Sequence, residues 1–126
     1  MTMSTYLSTQ LLNTVFDSVS YTAPANCYVA LSTTEMSASA APTEPVGNNY
    51  SRGEVVFSTA VSGVTTTSAD VSFSCTDNTW PQVVGCAVMD ASTGGNVLVW
   101  FNILPRTVAA GETLVIATGD ITVSIL

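Results

Sequence analysis

The side chains able to do chemistry in this chain are few, and their types rule out most mechanisms before any fold is considered. Five carboxylates, Asp70, Asp77, Asp90, Glu112 and Asp120, lie in the second half, where a fold could converge two of them as the acid and base of a glycoside hydrolase. All five sit in turn contexts, and acidic residues there ordinarily bond nearby backbone. The chain contains no histidine and no lysine. Their absence removes Ser-His-Asp and Cys-His activation, Schiff bases and Ser-Lys pairs. Cys27, Cys75 and Cys86 are a poor zinc set, and Asp77 with Asn78 gives only a thin oxygen set for calcium. Gly94-Gly95 precedes a strand-like run rather than a helix, so it is no phosphate cradle. The expectation is a protein that is not an enzyme, with no catalytic residue, no metal and no cofactor.

Composition directs attention to surfaces instead. Charged residues make up 9% of the 126 residues, far below the roughly one quarter of an ordinary soluble domain. The formal net charge is −7, with Arg52 and Arg106 the only strong cations. Phosphate backbone binding needs several cations together, so no nucleic-acid partner is expected, and the acidic balance disfavours an anionic membrane. No apolar run reaches the ~18 residues of a membrane span, and the opening residues lack a signal-peptide pattern. Synthesis in a reducing cytoplasm is expected, with the cysteines acting as buried free thiols and one disulfide as the alternative. The polar groups are mostly uncharged and several strands are apolar on both faces, which points to contacts between subunits.

The elements that position these groups follow from periodicity. Residues 83–89 and 97–101 are two β-prone runs flanking Asp90-Ala-Ser-Thr-Gly-Gly-Asn96, a hairpin in which the glycines supply positive φ and Asp90 and Asn96 bond the turn. Both runs are apolar at nearly every position, as expected of central strands covered on both faces. Residues 4–16 carry the one helical pattern: Leu7, Leu11, Leu12, Val15 and Phe16 recur at three- and four-residue spacing, with Ser4 as N-cap and Asp17-Ser18 as the stop. This helix either packs on the sheet edge or acts as an arm that docks on a neighbouring subunit. Residues 33–49 form a long aperiodic loop, either free on the surface or ordered against a partner. Strands are expected at 27–32, 53–58, 71–75, 113–117 and 121–126, with turns at Ser62-Gly63, 76–79, 104–106 and 109–112. The whole predicts one domain over 1–126, with a helical arm in 1–20: mainly β, a two-layer antiparallel β-sandwich of about seven strands with a short N-terminal helix. The residues assigned to partner binding are Leu7, Leu11, Val15, Phe16 and Arg52. Arg52 either pairs within the chain or reaches a partner's acidic or carbonyl groups.

One further signal comes from residue order. Tyr21-Thr-Ala-Pro, Tyr28-Val-Ala-Leu, Tyr50-Ser-Arg-Gly-Glu-Val-Val-Phe57, Trp80, Val88-Met-Asp-Ala-Ser-Thr-Gly-Gly-Asn-Val-Leu98, Gly111-Glu-Thr-Leu and Gly119-Asp-Ile-Thr-Val123 together resemble a family of small tailed-phage virion proteins. Some members are labelled tail fibre proteins and others capsid cement or decoration proteins. The sequence departs from that pattern at Ser32, Gly85, Ala87 and Met89. The resemblance implies a virion structural protein, and of its two labels the sequence is read as capsid cement. That reading expects a homodimer or homotrimer that bridges the major capsid protein on the outer capsid surface. A tail fibre or tail appendage module that recognises a host surface is the alternative.

Overall fold

The protein is described here by a computed structural model covering residues 2–125. Its elements in chain order are β1 (Thr2–Met3), α1 (Thr5–Phe16), β2 (Cys27–Ser32), β3 (Gly53–Val55), β4 (Val64–Thr66), β5 (Val71–Ser74), β6 (Val83–Met89), β7 (Val97–Arg106), β8 (Thr113–Ile116) and β9 (Thr122–Ser124). The architecture is mainly β and antiparallel, as the strand periodicity predicts. A five-stranded sheet of order β1-β7-β6-β2-β3 forms one layer, and two ribbons, β4-β9 and β5-β8, supply the other strands. Residues of the main sheet (Val29, Leu31, Val55, Cys86, Val88, Val99) and of the ribbon side (Val71, Phe73, Leu114, Ile121) share one buried cluster, to which Trp80 belongs. This packing of sheet against ribbons is sandwich-like.

The central hairpin forms as its composition dictates. β6 and β7 pair from Met89↔Val97 to Val83↔Arg106. Gly94 and Gly95 take φ of 59° and 74°, and both oxygens of Asp90 accept from Asn96, one from its backbone N–H at 2.7 Å and one from its amide at 2.9 Å. β6 lies in the middle of the sheet and is buried along almost its whole length. β7 is buried only at Leu98 and Val99, because its outer neighbour β1 covers no more than Val99 and Trp100.

Three expected boundaries move. Residues 104–106 are not a turn but the end of β7. Gly85 faces Asn102 while Val83 faces Arg106, so β7 bulges between them. A bulge accommodates Pro105, whose missing N–H the sequence signals as a break. Residues 53–58 contract to β3 and an isolated Phe57↔Thr67 bridge. The final strand ends at Ser124, and Leu126, placed in it by the alternation, lies outside the described residues.

The 33–49 loop has no regular structure, yet its own chain holds it. Thr33 N–H donates to the Thr43 carbonyl, Thr43 N–H donates to Ser32 Oγ, and the Asn102 amide clamps both backbone groups of Met36. Met36 thereby seals a second apolar cluster with Ala30, Ala87 and Met89. Ser32, Gly85, Ala87 and Met89, the four departures, are all buried. Ser32↔Gly85, Ala30↔Ala87 and Tyr28↔Met89 are paired positions, which puts the four on one sheet face. A Cβ on Gly85 would stand 2.9 Å from Met36 Cγ and 3.0 Å from Asn102 Oδ1, so a small residue there lets the loop close.

Candidate functional site

Four of the five carboxylates considered for catalysis accept hydrogen bonds from turn residues, Asp90 among them. Asp70 Oδ1 accepts from both the backbone N–H and the hydroxyl of Thr118, and these bonds lower its pKa. Glu112 accepts from Ala109 N–H, and Asp120 from Ala117 N–H. Among the described residues, no three His, Cys, Asp or Glu side chains gather closely enough to hold a metal ion. All three cysteines are free thiols, Cys75 and Cys86 buried and Cys27 half-buried. Burial pushes the Cys86 thiol up to about 12, and Cys75 Sγ donates to the Asn78 carbonyl.

The densest polar constellation surrounds Arg52 and joins three segments distant in sequence. Its Nε and Nη2 donate to the two oxygens of Glu44 at 3.0 and 2.9 Å, and its Nη1 donates to the carbonyls of Ala91 and Gly94 at 2.8 Å each. The fork geometry of a guanidinium suits this combination of carboxylate and turn carbonyls. Tyr50 completes it: its hydroxyl donates to Glu44 Oε1 at 2.7 Å and accepts from Leu31 N–H at 3.0 Å. Burial opposes ionisation of Glu44, but hydrogen bonds from Arg52 and Tyr50 and the charge of Arg52 outweigh it, so its pKa falls. Burial and the neighbouring Glu44 push Tyr50 far above the ordinary phenol range, so it stays protonated and donating. Its ring stacks on Phe73 and meets Trp80 edge-on. The Arg52 side chain is 6% exposed. Of the two arrangements left open for this arginine, the structure displays the intrachain pair. The constellation is a clasp tying the 33–49 loop to the β6-β7 turn.

The helix is different. Ser4 caps it, accepting from Leu7 N–H, and ties it to the sheet: Ser4 N–H and Oγ donate to the carbonyls of Leu98 and Val97. The helix stops as expected, with Asp17 N–H and Val19 N–H both donating to the Asn13 carbonyl and Ser18 at φ 53°. Leu7 and Tyr6 pack against the main core. No residue of α1 is buried, and Leu11, Leu12, Val15 and Phe16 face water. Of the five residues assigned to partner binding, four therefore share the helix, Leu7 turned inward and Leu11, Val15 and Phe16 outward. Arg52 is spent elsewhere. Ile125, which the alternation places on one strand face with Ile121 and Val123, lies beyond the end of β9 and joins Met3, Ser8, Leu11 and Leu12 around one groove. Its 67% exposure beside a helix from the other end of the chain was not readable from sequence spacing.

A family model described as Podophage GP4 fiber I protein gp80 matches residues 2–124. No curated protein matches the chain.

Proposed function

The chain belongs to the Podophage GP4 fiber I protein gp80 family of phage virion proteins, and from that premise we propose that it is a non-catalytic structural subunit of a podophage tail fibre. The carrying observation is the extent of the match, which takes in nearly every residue of the sandwich. The geometry agrees with a building block: Asp70, Glu112 and Asp120 bond turns, and the Arg52 side chain closes a clasp. Of the two roles left open by the sequence, the family description fits the fibre better than the capsid cement.

The test is fractionation of virions into tails and tailless heads, with quantitative mass spectrometry of each. This chain is expected in the tail fraction and absent from heads. Stoichiometric recovery from tailless heads would overturn the fibre reading in favour of a cement on the outer shell, in contact with the major capsid protein.

A further inference from the structure

We propose that the outward row of α1, together with Ile125, is the surface on which a second copy of this chain docks. The inference does not rest on whether the subunit belongs to a tail or to a head. Phe16 is 81% exposed, Val15 69%, Leu12 58% and Ile125 67%. At 100° per residue Leu11, Val15, Leu12 and Phe16 fall on one arc of the helix, away from Tyr6, which packs inward. Ile125 lies across the groove from Leu11 and Leu12, so the row continues off the helix onto the end of the β4-β9 ribbon. The hydroxyls of Thr9 and Thr14 bond the helix's own carbonyls. Ser8 lies on the same arc and lines the groove, so the face is mainly apolar with one small hydroxyl set in it.

Charge selects the occupant. Residues 5–16 contain no charged side chain, in a chain of net charge −7. A basic partner would be drawn to the carboxylates elsewhere, and this face offers it no ion pair. An anionic lipid surface would be repelled by the rest of the molecule. Two copies repel each other at long range and approach most easily where neither presents a carboxylate. The α1 row is such a place and is self-complementary, as an isologous contact requires. The exposed parts of Leu11, Leu12, Val15, Phe16 and Ile125 amount to about 600 Å² per copy, so complete coverage in two copies would bury about 1,200 Å², which only reaches the lower bound for a stable specific interface.

The experiment is sedimentation velocity of the full chain at micromolar concentration, in low salt and in roughly 0.5 M salt, where charge repulsion is screened. Wild type is expected to self-associate, equally well or more tightly in high salt. Phe16→Asp and Leu12→Asp should each weaken association by at least about tenfold, with unchanged circular dichroism and melting temperature because neither side chain is in the core. Phe16→Leu should retain it. Leu104→Asp is the control: it alters another exposed leucine, on β7 beyond the pairing with β1, and should leave association intact. A wild type that is monomeric in both salts would overturn the proposal. So would an oligomer that Phe16→Asp and Leu12→Asp leave unchanged, one dissolved by Leu104→Asp alone, or one that dissociates in high salt.

Discussion

Replacing Arg52 with alanine removes four hydrogen bonds and leaves the carboxylate of Glu44 beside the Tyr50 hydroxyl with no cation. Removing one partner of a buried ion pair costs about 3–5 kcal/mol. Because the Glu44 side chain is 25% exposed, water can reach the abandoned carboxylate, which places the expected loss near the lower end, at about 3 kcal/mol. For a domain of this size that corresponds to a fall in melting temperature of about 10 °C. The pH dependence adds a second reading. Glu44 has a folded-state pKa below its unfolded value, so its contribution is present above the ordinary carboxylate pKa and is lost as pH falls through the depressed folded value. The gap between wild type and Arg52→Ala should therefore be widest near neutrality and narrow below about pH 4. It should not vanish, because the bonds to the Ala91 and Gly94 carbonyls do not titrate. Thermal denaturation of both proteins from acid to neutral pH measures this. A drop under about 2 °C at pH 7, or a gap that widens on acidification, would refute the assignment of the clasp as a stabilising element.

Other expectations follow from single contacts. Gly95→Ala should destabilise by about 2 kcal/mol or more, since its Cβ would collide with Asp90 Oδ1 at φ 74°, whereas Gly94→Ala, with open space at φ 59°, should cost about 1 kcal/mol; chemical denaturation of the two distinguishes them. Trp100→Phe should cost no more than about 1–2 kcal/mol in the same assay, because the buried indole N–H has no hydrogen-bond partner to lose and only packing on the Ala30, Met36, Ala87 and Met89 cluster is given up. Thiol titration of the native protein at pH 8 should find Cys86 and Cys75 unreactive and Cys27 slow, burial and Asp90 having raised the Cys27 pKa; all three should react at once in denaturant.

What could be read in advance was what local periodicity and turn chemistry determine. The helix with its Ser4 cap, the Asp90-Asn96 turn and the strand 27–32 stand where spacing puts them, because their signals reside in the residues that form them. The end of β7 was missed because a proline inside a bulge carries the same local signal as a proline in a turn. The clasp was out of reach for another reason. Arg52 and Glu44 are close in sequence, but the Ala91 and Gly94 carbonyls are identical in type to every other carbonyl, and only the fold selects them. The helical face was legible as apolar, while the choice of which leucine turns inward was not. Leu7 lies in the first turn, where Ser4 pins the helix to β7, whereas Leu11, Leu12, Val15 and Phe16 in the later turns stay exposed.

The pairing of β1 with β7 has a consequence in time as well as in space. Thr2 faces Trp100, and Val64 faces Ser124, so during synthesis β1 waits for β7 and β4 waits for β9. Pairings this distant in sequence close large loops before they are rewarded, which slows folding into the millisecond-to-second range typical of all-β domains. The backbone bonds of α1 close within one turn, so the helix can form transiently while the sheets are unfinished, and its ties through Ser4, Tyr6 and Leu7 hold it once β7 is in place. During synthesis on crowded polysomes, nascent chains would then display the apolar row of α1 before the sandwich exists to orient it. If the α1 row is the docking face, it takes up its final setting only once residue 100 has reached residue 2.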